Sequence, residues 1–156
     1  MAEPQSPPFD LAYDAALRAL QDQNTSLDGL RARAAALIAA IAIVTSFLGG
    51  QALEPDGFSA WEVAALLFFG LGVLLCLLVL MPQEEGWLLT TDPAVMVERM
   101  NEQPDFSHAE WQAALAWEVG EALPLNDERL RRVHMFFALA CGCLILEIAL
   151  WAIDLL

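Results

Sequence analysis

Three apolar runs dominate the hydrophobic pattern of this chain. They cover residues 34–53, 63–83 and 133–153, and each has about the 20 residues that a helix needs to cross the hydrocarbon core of a bilayer. The first two runs carry no charged residue, whereas the third contains His134 and Glu147. The pattern predicts an all-α integral membrane protein with three transmembrane helices.

The arginines are distributed asymmetrically about these runs. The chain has no Lys, and all seven basic residues precede the first run or lie between the second and the third: Arg18, Arg31, Arg33, Arg99, Arg129, Arg131 and Arg132. By the positive-inside rule, residues 1–33 and 84–132 face the cytoplasm, and the loop 54–62 and residues 154–156 face outward. We therefore predict a multi-pass protein of the inner (plasma) membrane.

The N-terminal segment predicts a helix that begins near Asp10 and continues into the first span. Its seam residues recur at alternating spacings of four and three: Tyr13, Leu17, Leu20, Asn24 and Leu27. A seam with one polar position can set the register of an oligomer, and it can equally dock on other helices of the same chain. Both interpretations remain open at this stage.

The segment between the second and third spans predicts further helices, which complete a small cytoplasmic helical layer. Asp92 is placed to cap a short helix, and Ser107 with Glu110 matches the capping-box pattern at the start of another. We expect Pro124 to interrupt that helix and Asn126 to cap a fresh start.

Composition excludes several classes of function. A net charge of −14 argues against nucleic acid as a partner, since phosphate backbones would be repelled. Cys76, Cys141 and Cys143 each lie in an apolar run, and we interpret them as packing residues and not as a metal site. The sequence contains no Gly-rich phosphate loop, no HExxH and no GxSxG, so we expect neither an enzyme nor a bound cofactor.

The first span carries a stripe made entirely of small residues. These residues also recur at alternating spacings of four and three: Ala35, Ala39, Ala42, Ser46 and Gly49. Small side chains let helix backbones approach closely, which is how spans associate in lipid. The stripe predicts packing against another span of the same chain or against neighbouring subunits of a homo-oligomer.

Glu147 is the conspicuous polar residue of the third span. It lies roughly 21 Å from the inner end of that run at 1.5 Å per residue, and Asp154 lies on the same stripe further out. An ionised group at this depth is costly unless it is paired, protonated or hydrated. One interpretation makes Glu147 and Asp154 pore-lining or ion-attracting acids. A second makes Glu147 a protonated residue bonded to a neighbouring helix, with Thr45 or Ser46 as partner. In a third, the Glu147 side chain extends outward to the membrane surface.

Residues 27–53, LDGLRARAAALIAAIAIVTSFLGGQAL, resemble the first span of small bacterial membrane proteins of the SLATT and Pycsar-effector type. The matching positions are Asp28, Arg31, Arg33 and the Ala-rich span, and residues 108–153 are similar to the long helix that returns to the membrane in those proteins. The resemblance implies an effector of anti-phage immunity that oligomerises and opens or disturbs the inner membrane. Its trigger would be a cytoplasmic protein or a cyclic nucleotide, although no separate nucleotide-binding domain is visible.

Two functional hypotheses follow from these features. The first is an oligomeric membrane effector that forms a pore or perturbs the bilayer. The second is a non-conducting scaffold or accessory protein whose cytoplasmic helices bind a protein partner.

Overall fold

The computed structural model describes residues 9–52, 59–81, 97–98, 101–102 and 105–155. Within these ranges the chain forms three long α-helices and no strand. Helix α1 spans Phe9–Ala52, α2 spans Ala60–Leu80 and α3 spans His108–Asp154. All three are long and apolar enough to cross a membrane, so the predicted all-α fold with three transmembrane helices is confirmed.

Helices α1 and α3 each continue without a break from a polar segment of the sequence into an apolar run. Helix α1 starts at Phe9 and continues without a break into the first apolar run, as predicted. The prediction that Pro124 interrupts the third helix is wrong, because α3 continues through this residue. A proline inside a helix removes one backbone hydrogen bond at a cost of about 3 kcal/mol. Ala122 and Asn126, on either side of it, are buried within the acidic unit.

The chain divides into two compact units. The first, here called the acidic unit, comprises Met1–Ser26 and Gln83–Leu130, and the second, the membrane unit, comprises Leu27–Pro82 and Arg131–Leu156. Helices α1 and α3 contribute to both units, whereas α2 belongs to the membrane unit alone. The predicted start of a short helix at Asp92 lies outside the described residues, and the described residues 97, 98, 101 and 102 are helical.

In the acidic unit, the first part of α1 packs against the first part of α3. Ala16 and Leu20 of α1 form a buried core with Val119 of α3. Beside this core, Gln23 Nε2 donates a hydrogen bond to the Leu123 carbonyl oxygen at 3.1 Å. Apolar burial therefore holds the two helices together, and a polar contact helps to set their register.

The start of α3 is held by local contacts. The backbone N–H of Ser107 donates to Glu110 Oε2 at 2.7 Å, and the backbone N–H of Glu110 donates to Ser107 Oγ at 3.3 Å. The predicted capping box is therefore confirmed. Phe106 and Trp111 flank it with ring centroids 5.4 Å apart, in the positions of a hydrophobic staple. The hydrogen bond from the Ser107 N–H lowers the pKa of Glu110, and that from the Ser107 hydroxyl lowers it further.

In the membrane unit, all three helices meet at Gly72 of α2. A Cβ atom at this position would lie 3.2 Å from Ile41 Cδ1 of α1 and 3.3 Å from Cys143 Cβ of α3. Contacts this short leave no room for a larger residue, so Gly72 permits the approach of both neighbours. The membrane unit is thus tightly packed around the middle of α2.

Candidate functional site

Two acids and a tryptophan of the membrane unit lie along one stripe of α3. Glu147, Trp151 and Asp154 recur at spacings of four and three, so they share one stripe of the helix. Glu147 has an exposed fraction of 0% and Trp151 of 1%, and Asp154 is half-buried. This stripe therefore faces the other helices of the unit.

Glu147 Oε1 is hydrogen-bonded to Thr45 Oγ1 of α1. The same hydroxyl oxygen lies 3.1 Å from the carbonyl oxygen of Ile41, one turn earlier. A hydroxyl has a single proton to donate. Both bonds can therefore form together when Glu147 is protonated and donates to Thr45, which in turn donates to Ile41. A neutral carboxyl also avoids the cost of an ionised group at this depth.

Trp151 lies one helical turn after Glu147 on the same stripe of α3. Glu147 Oε2 and Trp151 Nε1 are both buried without a hydrogen-bond partner of ordinary geometry among the described residues. The indole ring packs on Ala65, and its ring atoms lie 3.2 Å from where a Cβ of Gly49 would be. Trp151 therefore packs between α1 and α2.

A second polar cluster lies where α2 begins and α3 ends. The backbone N–H of Ser59 donates to Glu62 Oε2 at 2.6 Å, the Glu62 N–H donates to Ser59 Oγ at 3.1 Å, and Ser59 Oγ donates to Asp154 Oδ1 at 2.6 Å. Residues 59–62, SAWE, are a capping-box sequence. Ser59 and Glu62 were not among the predicted site residues, because the second uncharged run begins only at residue 63.

The small stripe of α1 is divided between two environments. Gly49 is buried beneath Trp151. The other four residues are exposed: Ala35, Ala39, Ala42 and Ser46. Most exposed positions of α2 carry large side chains instead, including Leu67 and Leu74, and Ala60 and Gly70 are the small exceptions. Large apolar side chains are expected of a surface that contacts lipid tails. The exposed part of the stripe, here called the small face, is therefore unlike the outer face of α2.

The predicted seam of the N-terminal helix is also divided. Leu20 and Leu27 are buried, Tyr13 and Asn24 are half-buried, and Leu17 is exposed. Leu20 contacts Val119 of α3 in the core of the acidic unit. At this position the seam therefore docks on another helix of the same chain. Leu17 points away from this core.

No disulfide joins the three cysteines. Cys76 and Cys143 are buried, Cys141 is half-buried, and all three thiols are free. No group of three or more His, Cys, Asp or Glu side chains among the described residues is arranged to hold a metal ion.

The fold and its buried polar stripe define a multi-pass, all-α membrane protein. Comparison with known protein families, with curated proteins and with solved structures gives no match to this chain. Any assignment of function must therefore come from the geometry itself.

Proposed function

We propose that this chain is an oligomeric membrane effector whose subunits pack through the small face of α1 and whose assembly perturbs the inner membrane. The observation that carries the proposal is the exposure of Ala35, Ala39, Ala42 and Ser46 on a helix otherwise long enough to span the bilayer. Small residues gain little from contact with lipid tails, but they allow close packing between helices. A second copy of α1 is a suitable partner for such a face.

Because the membrane unit is closely packed inside, we place any path for ions between subunits and not through the middle of one subunit. Gly72 is in close contact with Ile41 and Cys143, and Glu147 is bonded to Thr45 within the same unit. The small face, in contrast, would surround the axis of a ring, and Ser46 is its one polar member. In this proposal Glu147 stabilises the subunit, while the α1 helices surround the lesion.

The assembly step is tested by enlarging the small face. Ala39→Leu and Ala42→Leu should shift the protein towards monomer, because a large side chain separates the backbones. Ala36→Leu is the matched control, since Ala36 is equally exposed but shares its side of α1 with the large residues Ile43 and Phe47. Mass is measured in nanodiscs for all four proteins. A monomer for the wild type, or identical masses throughout, contradicts the proposal.

The effector step is tested in cells with a dye that reports membrane potential. Expression of the wild type and of Ala36→Leu should depolarise the cells and stop growth, whereas Ala39→Leu should do neither. An assembled wild-type protein that leaves the potential unchanged would favour the scaffold function.

The topology is tested separately. A reporter fused after residue 156 should be active only outside the cytoplasm if the topology follows the positions of the arginines.

The second candidate function is that non-conducting scaffold, whose helices hold a protein partner. The observation in its favour is an open groove in the acidic unit, between the first part of α1 and the first part of α3. Partner binding without depolarisation would distinguish it from the effector.

A further inference from the structure

The acidic unit contains a groove of about 550 Å³ on one side of its helix pair. Four small residues, one tryptophan and one acid line it: Ala12, Ala113, Ala116, Trp117, Gly120 and Glu121. Trp117 is 72% exposed, although tryptophan has a large apolar ring, and Leu11 beside Ala12 in the sequence is exposed to the same extent. The groove is therefore an apolar surface that the described residues leave open.

The shape of the groove suits a helix. Two packed helices leave a furrow along their seam, and a third helix laid in that furrow is a common mode of peptide recognition. Small floor residues allow the close approach of a backbone, and a Cβ at Gly120 would meet nothing within 4 Å. Trp117 is the kind of exposed aromatic side chain that contributes most to binding energy at protein interfaces.

The charge around the groove selects the occupant. Glu110, Trp117 and Glu121 share one stripe of α3, at spacings of seven and four. The bond from the Ser107 N–H lowers the pKa of Glu110, so this carboxylate is ionised at neutral pH. Acidic residues also far outnumber arginines in the unit as a whole. A basic occupant is attracted, whereas a second copy of this unit or an anionic lipid headgroup is repelled.

No described residue outside α1 and α3 lines the groove. Val97, Glu98, Asn101 and Glu102 are exposed, and none of them lines the groove.

We propose that this groove binds a basic amphipathic helix of a partner protein. The apolar side of that helix covers Trp117 and the small floor, and its Lys or Arg residues face Glu110 and Glu121. The inference goes beyond the proposed function, because the same groove can receive the trigger of an effector or the partner of a scaffold.

The test uses the full chain in nanodiscs of zwitterionic lipid, with empty nanodiscs as the blank. The probe is a fluorescent Leu/Lys peptide of about 18 residues, or five helical turns, whose leucines lie on one face. A scrambled peptide of the same composition and a Leu/Glu peptide with the original spacing are the comparisons. Fluorescence anisotropy should show the Leu/Lys helix binding at least about tenfold more tightly than either, a difference of about 1.4 kcal/mol.

Two variants test the location of the site. Gly120→Leu fills the floor and Glu121→Arg reverses the charge at the rim, and each should weaken binding about tenfold. The matched controls are Gly29→Leu, which also has open space around the added Cβ, and Glu98→Arg, an exposed acid that does not line the groove. Both controls should bind the peptide as the wild type does.

Three results would overturn the proposal. The first is equal binding of the amphipathic and the scrambled peptide, which would mean attraction by charge alone. The second is unchanged affinity in Gly120→Leu. The third is a change in oligomer mass in Gly120→Leu, which would make the groove an interface between copies of this chain. Assembly and depolarisation are measured separately, so either proposal can fail while the other stands.

Discussion

Replacing Thr45 with valine removes the hydroxyl that joins α1 to α3 and keeps the size and branching of the side chain. The substitution breaks the bond to Glu147 and the bond to the Ile41 carbonyl oxygen. Bonds between membrane helices contribute about 0.6 kcal/mol on average and about 1.7 kcal/mol at most. A buried carboxyl left without a partner adds a desolvation penalty of about 1–3 kcal/mol. We therefore expect Thr45→Val to lower the free energy of unfolding by about 2 kcal/mol. This value is near the lower end of the combined range, because side chains in the membrane readjust.

The matched control is Thr25→Val. Thr25 Oγ1 also donates to the carbonyl oxygen one turn earlier, that of Gln21, at 2.9 Å, but Thr25 is exposed. Both variants therefore lose a hydrogen bond to a carbonyl oxygen of their own helix, and only Thr45→Val also loses a bond to another helix. Unfolding is followed by circular dichroism in mixed micelles of mild detergent and dodecyl sulfate. Equal stability losses in Thr45→Val and Thr25→Val would refute a stabilising role for the contact with Glu147.

A double-mutant cycle isolates the pair. Glu147→Leu removes the buried acid, so adding it to Thr45→Val leaves no carboxyl without a partner. Removing both members of a buried polar pair costs less than removing one. The double variant should therefore be more stable than the sum of the single losses predicts, by about 1 kcal/mol. Strict additivity would mean that the two side chains do not interact.

Three further predictions concern packing and helix capping. Gly72→Ala should destabilise the membrane unit, since the added Cβ lies 3.2–3.3 Å from side chains of α1 and α3. Gly70→Ala should not, because the space around its Cβ is open. Thermal melting compares the two variants. Ser107→Ala should cost about 1 kcal/mol of stability by removing the cap of α3, and chemical unfolding measures it. Because the folded pKa of Glu110 is lowered, its contribution to stability is present above its unfolded pKa and is lost as the pH falls through the folded pKa. This acid loss should disappear in Glu110→Gln, and stability that falls equally in that variant would contradict the assignment.

The sequence by itself determined the features that depend on neighbouring residues. Three uncharged or nearly uncharged runs of sufficient length predicted the three helices, because backbone groups in lipid must bond within their own segment. The start of α1 near Asp10 and the Ser107–Glu110 capping box were also correct. Each of these features rests on contacts within a few positions along the chain, so a local pattern is enough to predict it.

Only the tertiary structure decided which faces of the helices meet. Sequence left Glu147 with a choice between a pore, a neighbouring helix and the membrane surface, and the structure places it against Thr45, about a hundred positions away. In the structure Gly49 is buried beneath Trp151, whereas Ala39 is exposed. Helix α3 continues through Pro124. A membrane-spanning run is apolar on every side, so its pattern does not encode the rotation of the helix about its axis. That rotation is set by close contacts such as those at Gly72, and it becomes visible only when the helices are packed together.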